Sequence, residues 1–182
     1  SATTVTAPST GVTIGSSVLI SGTVMDISPG TKENSLVMRF PNGVPAVSDA
    51  NQDDWMLYVY KQFPSPASVL GVPVTVDVID SNGNYRNIGT TTSDASGFFS
   101  IGWKPDIEGK YTVIASFAGS EAYWPSHAEA AFVIDSAPAT PTPQATQPAS
   151  LADQYILPGI IGIIVAIAVG FAITILVLRK RP

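Results

Sequence analysis

The sequence predicts a mainly β chain: an antiparallel sandwich over residues 1–135, interrupted by a helical insertion, and one C-terminal transmembrane helix. Three observations predict it. Short alternating apolar and polar runs recur as far as Asp135 between turn signals spaced about 8 to 12 residues apart, the rhythm of a two-sheet antiparallel fold. The alternation lapses from Asp26 to about Val69, far longer than an ordinary hairpin loop, and a helical period appears inside the gap. From Tyr155 to Leu178 the chain then runs without a charge, long enough as a helix to cross a hydrocarbon layer of about 30 Å.

Taken in order, Thr3 to Val24 reads as strand, turn, strand, with Pro8-Ser9-Thr10-Gly11 as the turn and Val18, Ile20, Gly22 and Val24 on one face. In the excursion, Ser28-Pro29-Gly30 and Pro41-Asn42-Gly43 are turns, and residues 48–62 form one short helix. Ser48 or Asp49 caps that helix, Asp53 and Asp54 sit near its positive end, and Lys61 near its negative end. Trp55, Tyr58 and Val59 share a face, which either covers a sheet edge or, with Tyr60, touches a partner, since long insertions on rigid scaffolds often carry function.

Alternation resumes at Pro73 with Val74, Val76 and Val78. The Asn82-Gly83 pair predicts a tight hairpin turn before a strand from Tyr85 to Thr92. Ser93 to Gly97 turns into Phe98–Trp103, Pro105 to Gly109 turns again, and Tyr111, Val113, Ala115 and Phe117 line the next strand. A loop with Tyr123-Trp124-Pro125 precedes the last one, marked by Ala130, Phe132 and Ile134.

Gly-Thr-Thr-Thr-Ser-Asp-Ala-Ser-Gly-Phe-Phe at 89–99, Trp-Lys-Pro at 103–105, Gly-Lys-Tyr-Thr-Val at 109–113 and Ala-Ser-Phe-Ala-Gly-Ser-Glu-Ala-Tyr-Trp-Pro-Ser at 115–126 resemble the immunoglobulin-like domains of bacterial and archaeal surface proteins. The resemblance covers residues 70–136 well and the first two strands loosely. It implies an immunoglobulin-like sandwich serving as spacer, stalk or adhesive unit, placed next to the membrane at the end of a long, archaeal-type surface protein. The excursion departs from that compact pattern.

Residues 136–154, with Pro138, Pro141, Pro143 and Pro148, are too polar and proline-rich to bury a core and read as an extended linker. Arg179, Lys180 and Arg181 follow the span directly, so residues 179–182 are expected in the cytoplasm and everything before Tyr155 outside the cell. An exported domain implies either a removed signal peptide or a longer parent chain.

All fourteen acids and six of the nine basic residues precede the span, giving the outer part a formal charge of −8. That excludes nucleic acid, whose phosphates need a basic surface. There is no cysteine, so thiol chemistry, the usual zinc sites and disulfide support are all absent. His127, the only histidine, is expected as an exposed loop residue, and no nucleophile elbow or phosphate-binding glycine loop occurs, so the chain is not expected to be an enzyme.

What remains are binding groups. Asp94, Asp106 and Glu108 are either turn caps or hard oxygen ligands for Ca²⁺. Trp55, Tyr123 and Trp124 are either packed or a stacking platform for a surface glycan. Gly162, Ala166, Gly170 and Thr174 fall four apart and offer a small-residue face for homodimerisation within the bilayer. The expected function is therefore a non-catalytic, membrane-anchored surface module. Alternatives are a module binding a glycan or envelope protein through the excursion, and an accessory subunit of a membrane complex.

Overall fold

The computed structural model describes residues 1–139 and 151–180, with the side chains of 151–153 left aside. Most of the expected linker, and Arg181 of the basic tail, lie outside the described residues. The chain divides into two compact units, Ser1–Pro138 and Ala139–Pro182.

The first unit is built on two sheets. In one, β3 (Val18–Asp26) pairs with β1 (Ala2–Thr6), with β7 (Phe98–Trp103) along Val18–Thr23, and with the two-residue β4 (Val44–Pro45) at Met25 and Asp26, all antiparallel. The other runs in the order β2 (Val12–Thr13), β9 (Ser126–Asp135), β8 (Gly109–Phe117), β5 (Pro73–Ile79), β6 (Tyr85–Thr92). Its neighbours are antiparallel except β2, which lies parallel to β9 through Val12 and Ile134.

Alternation explains the core. Successive strand residues face opposite sides, so Val18, Ile20 and Val24 of β3, Val74, Val76 and Val78 of β5, and Tyr111, Val113, Ala115 and Phe117 of β8 all turn inward. With Phe99, Phe132 and Ile134 they form one apolar cluster drawn from both sheets. Burial of each such side chain contributes about 1.5–3 kcal/mol, which is how a domain without disulfides holds together.

The β5–β6 hairpin turn is longer than the expected tight turn, and the turn from β6 to β7, which crosses between the two sheets, shares its design. Asp80 and Asp94 each open a five-residue turn of the same design. The Asp80 carboxylate accepts from the backbone N–H of Asn82 (2.9 Å) and Asn84 (3.0 Å), and that of Asp94 from Ser96 (2.8 Å) and Phe98 (3.0 Å). The fourth residue, Gly83 or Gly97, has φ of +83° or +79°, the left-handed region that glycine enters without strain. An Asp side chain that satisfies the turn's own donors thus replaces the Asn-Gly hairpin geometry.

The excursion holds more structure than the sequence predicts. A 3-10 turn (Pro29–Lys32) leads into α1 (Asn34–Arg39), and a second 3-10 turn (Asp49–Asn51) leads into α2 (Gln52–Lys61). The helix α1 was not expected, because six residues after an uncapped Glu33 leave no legible period. Ser48 does not cap the helix with its side chain but donates to Asn51 Oδ1 at 2.9 Å. That same amide oxygen accepts from Leu70 N, tying the start of α2 to the returning chain.

The inner face of α2, Trp55 and Val59, meets the edge of the first sheet at Val44 of the short β4. It packs with Leu36, Val44 and Val47 into a second small core made almost wholly from the excursion. Arg39 closes that core by donating to the carbonyls of Val59 (2.9 Å) and Tyr58 (3.1 Å), two of the four that the end of α2 leaves unpaired.

The second unit contains α3 (Leu151–Arg179). Its stretch Gln154–Arg179, 26 residues and roughly 39 Å long, is apolar and exposed on every side. It is long and apolar enough to cross a membrane. Pro158 removes one backbone donor early in the helix, which spans tolerate.

Candidate interaction surface

Strand order brings the excursion and the loop 118–125 to one end of the β unit. Pro73, where the excursion returns, starts a strand whose Thr75 pairs with Ser116, while Phe117 pairs with Ser126 across the loop. A carboxylate joins the two segments: Asp49 accepts from the N–H groups of Glu121 (3.1 Å) and Ala122 (3.2 Å). These bonds, that from Glu121 foremost, hold its carboxyl below the usual carboxylate range.

The structure separates the five aromatic residues expected to meet a partner. Trp55 is 4% exposed in the second core, and Tyr123 is buried in the first, where burial raises its hydroxyl pKa. Trp124, next to Tyr123, is 83% exposed. Trp55, Tyr123 and Trp124 therefore form no common stacking platform. Tyr58 is half-buried, its ring 5.4 Å from that of Trp55 and 4.9 Å from the Arg39 guanidinium. Tyr60 stands on the outer side of α2.

A cleft of about 400 Å³ opens beside this aromatic cluster, between Arg39, Phe40 and Tyr58 on one side and Pro66, Ser96 and Phe98 on the other. Sequence reasoning missed Arg39 and took Asp49 for a helix cap. Neither has a local motif, because the partners of Asp49 lie more than seventy positions along the chain.

The acids considered as Ca²⁺ ligands have other partners. Asp106 grips Arg86 through both oxygens at 2.9 and 2.8 Å, Glu108 accepts from Ser136 Oγ at 2.7 Å, and Asp94 serves its turn. Among the described residues no three metal-ligating side chains gather. His127 lies on β9 rather than in a loop, and it is exposed.

Arg86 centres a polar cluster at the other end of the β unit. Besides Asp106 it lies 3.9 Å from the buried Asp80 and 5.8 Å from the ring centre of Trp103. The pKa of Asp80 is lowered first by the Asn84 N–H, and that of Asp106 by Arg86. Carboxyls lowered in the folded state stabilise it fully above the unfolded value of about 4, and the benefit disappears as pH falls through the folded values. The thermal midpoint is thus expected to hold down to about pH 5 and to fall below about pH 4. Asp80→Asn keeps an acceptor in the turn without a charge, so its melting curves are expected to fall less steeply with acid.

On α3, Gly162, Ala166, Gly170 and Thr174 share a face at intervals of four residues, and the Thr174 hydroxyl donates to Gly170 O at 2.8 Å within the same helix. Arg179 ends the helix and Lys180 follows it. No protein-family model and no curated protein matches this chain.

Proposed function

We propose that the chain is a non-catalytic surface module, an immunoglobulin-like sandwich held at the cell membrane by α3, with the β unit outside and Arg179, Lys180 and Arg181 in the cytoplasm. What carries the spacer reading is the path of the polypeptide. It enters the β unit at the loop end, where the Ser1 hydroxyl donates to Trp124 O at 2.7 Å, and leaves after Asp135 at the opposite end, where Ile134 pairs with Gly109. A module entered at one end and left at the other transmits length and tension along its strands.

The immunoglobulin-like part is supported by strand order. The order of β5, β6, β8 and β9 in one sheet is similar to that of C, C′, F and G, and the order of β1, β3 and β7 in the other to that of A, B and E. Tyr111, near the start of β8, accepts from Ile107 N four residues upstream at 3.2 Å, the geometry of a tyrosine corner. By this correspondence the excursion is an enlarged B–C loop and residues 118–125 are the F–G loop, so both lie at the end where such folds place binding loops.

Sidedness rests on the three basic residues after the span, and single cysteines test it, since the chain has none. In intact cells a membrane-impermeant maleimide is expected to label Ser81→Cys at once and Lys180→Cys only after permeabilisation. Labelling of Lys180→Cys from outside would overturn the orientation.

The second reading is adhesion to a surface glycan or envelope protein through the loop end. The Asp49 link favours it by holding the excursion beside the exposed Trp124. Replacing residues 27–69 with a short hairpin and measuring binding to isolated cell envelopes separates the two. Loss of binding supports adhesion, and unchanged binding leaves the spacer.

A further inference from the structure

We propose that the outer face of α2 is the contact between two copies of this chain, packed antiparallel about a two-fold axis at Leu57. While Trp55 and Val59 face the second core, a groove of about 440 Å³ on the other side is lined by Asp53, Met56, Leu57, Tyr60 and Lys61. Leu57 and Tyr60 are 40% and 39% exposed, so the helix keeps an apolar strip that its own chain, with Gly30 against Tyr60, covers only in part.

Charge selects the occupant. The strip has Asp53 and Asp54 at one end and Lys61 at the other, about 12 Å apart along the axis. Among the described residues none of the three pairs with a charge of its own chain. In an isologous contact each residue before Leu57 meets the one equally far after it on the other copy. Asp53 and Lys61 are each four positions from Leu57, so a second copy turned end for end sets Asp53 against Lys61 twice. Asp54 and Tyr60 are each three away, so the phenol can donate to the carboxylate. Parallel packing would set like charges together. A ten-residue helix face is small for a stable dimer, so the contact is of the weak kind that depends on high local concentration, as two chains held in one bilayer provide.

The test uses the full chain in liposomes. Leu57→Cys gives the chain its only thiol and places it on the axis, so mild oxidation is expected to yield a disulfide-linked dimer, while Ser81→Cys at the far end of the β unit yields none. Adding Asp53→Lys or Lys61→Glu to Leu57→Cys is expected to slow cross-linking about tenfold, because two opposite-charge contacts become two like-charge contacts. Mixing the two reversed chains is expected to restore it, since every contact in the mixed pair again joins opposite charges. Melting curves confirm that the variants stay folded. A Leu57→Cys chain that fails to cross-link, single reversals that cross-link at the parent rate, or a mixture as slow as its components would each overturn the proposal. Dimers joined only through α3, or a different protein in the groove, would give the first of these results.

Discussion

Tyr111→Ala is expected to remove about 3–5 kcal/mol of the β unit's folding stability. The ring is fully buried, stacked on Phe132 with centroids 5.4 Å apart and set edge-on to Trp103 at 5.3 Å. Removing a buried aromatic side chain costs about 3–5 kcal/mol, against a total stability of about 5–15 kcal/mol for a domain of this kind. No disulfide offsets the loss. Tyr111→Phe keeps the stacking and removes only the hydroxyl that accepts from Ile107 N, so its expected cost is nearer 1 kcal/mol. Urea unfolding followed by tryptophan fluorescence measures both. An alanine variant within 1 kcal/mol of the parent, by the same scale, would mean that the cluster drawn from the two sheets is not what holds them together.

The strands after Pro73 were legible because each carries its own signal. Tyr111, Val113, Ala115 and Phe117 alternate without a break, and glycines mark the turns, so β6 and β7 begin and end where the alternation does. The turn geometry was half legible. Asp80 and Asp94 both stand three residues before a glycine, and that repeated spacing, rather than the Asn82-Gly83 pair, carried the signal.

The candidate interaction surface was much less legible, because its decisive contacts join distant positions. Nothing near Asp49 points to the amides of Glu121 and Ala122, and nothing near Arg39 points to the carbonyls at the end of α2. Aromatic residues misled for a related reason. Trp55 has the spacing of a partner-facing stripe and of a core stripe alike, and only the unforeseen α1, which brings Leu36 and Phe40 against it, decides for the core. At Tyr123 and Trp124 neighbouring residues part company, one into the core and one into solvent.

Three arginines in place of Ile164, Ile167 and Phe171 are expected to release the chain from membranes while leaving the β unit folded. Each arginine near the middle of a span costs about 2.5–3.5 kcal/mol, and each apolar residue lost forfeits about 0.3–0.6 kcal/mol more. The variant therefore loses about 8–12 kcal/mol, against roughly 5–9 kcal/mol that the Ile, Val, Leu and Phe residues of the helix supply. Because α3 belongs to a separate compact unit, the melting temperature of the β unit is expected to stay the same, so any change in partitioning reports on lipid alone. Sedimentation with membranes after an alkaline carbonate wash reads the result. If the triple variant sediments as the parent does, the exposed apolar surface of α3 is covered by protein rather than lipid. The chain would then be held by a neighbour, and the accessory-subunit alternative would displace the anchor.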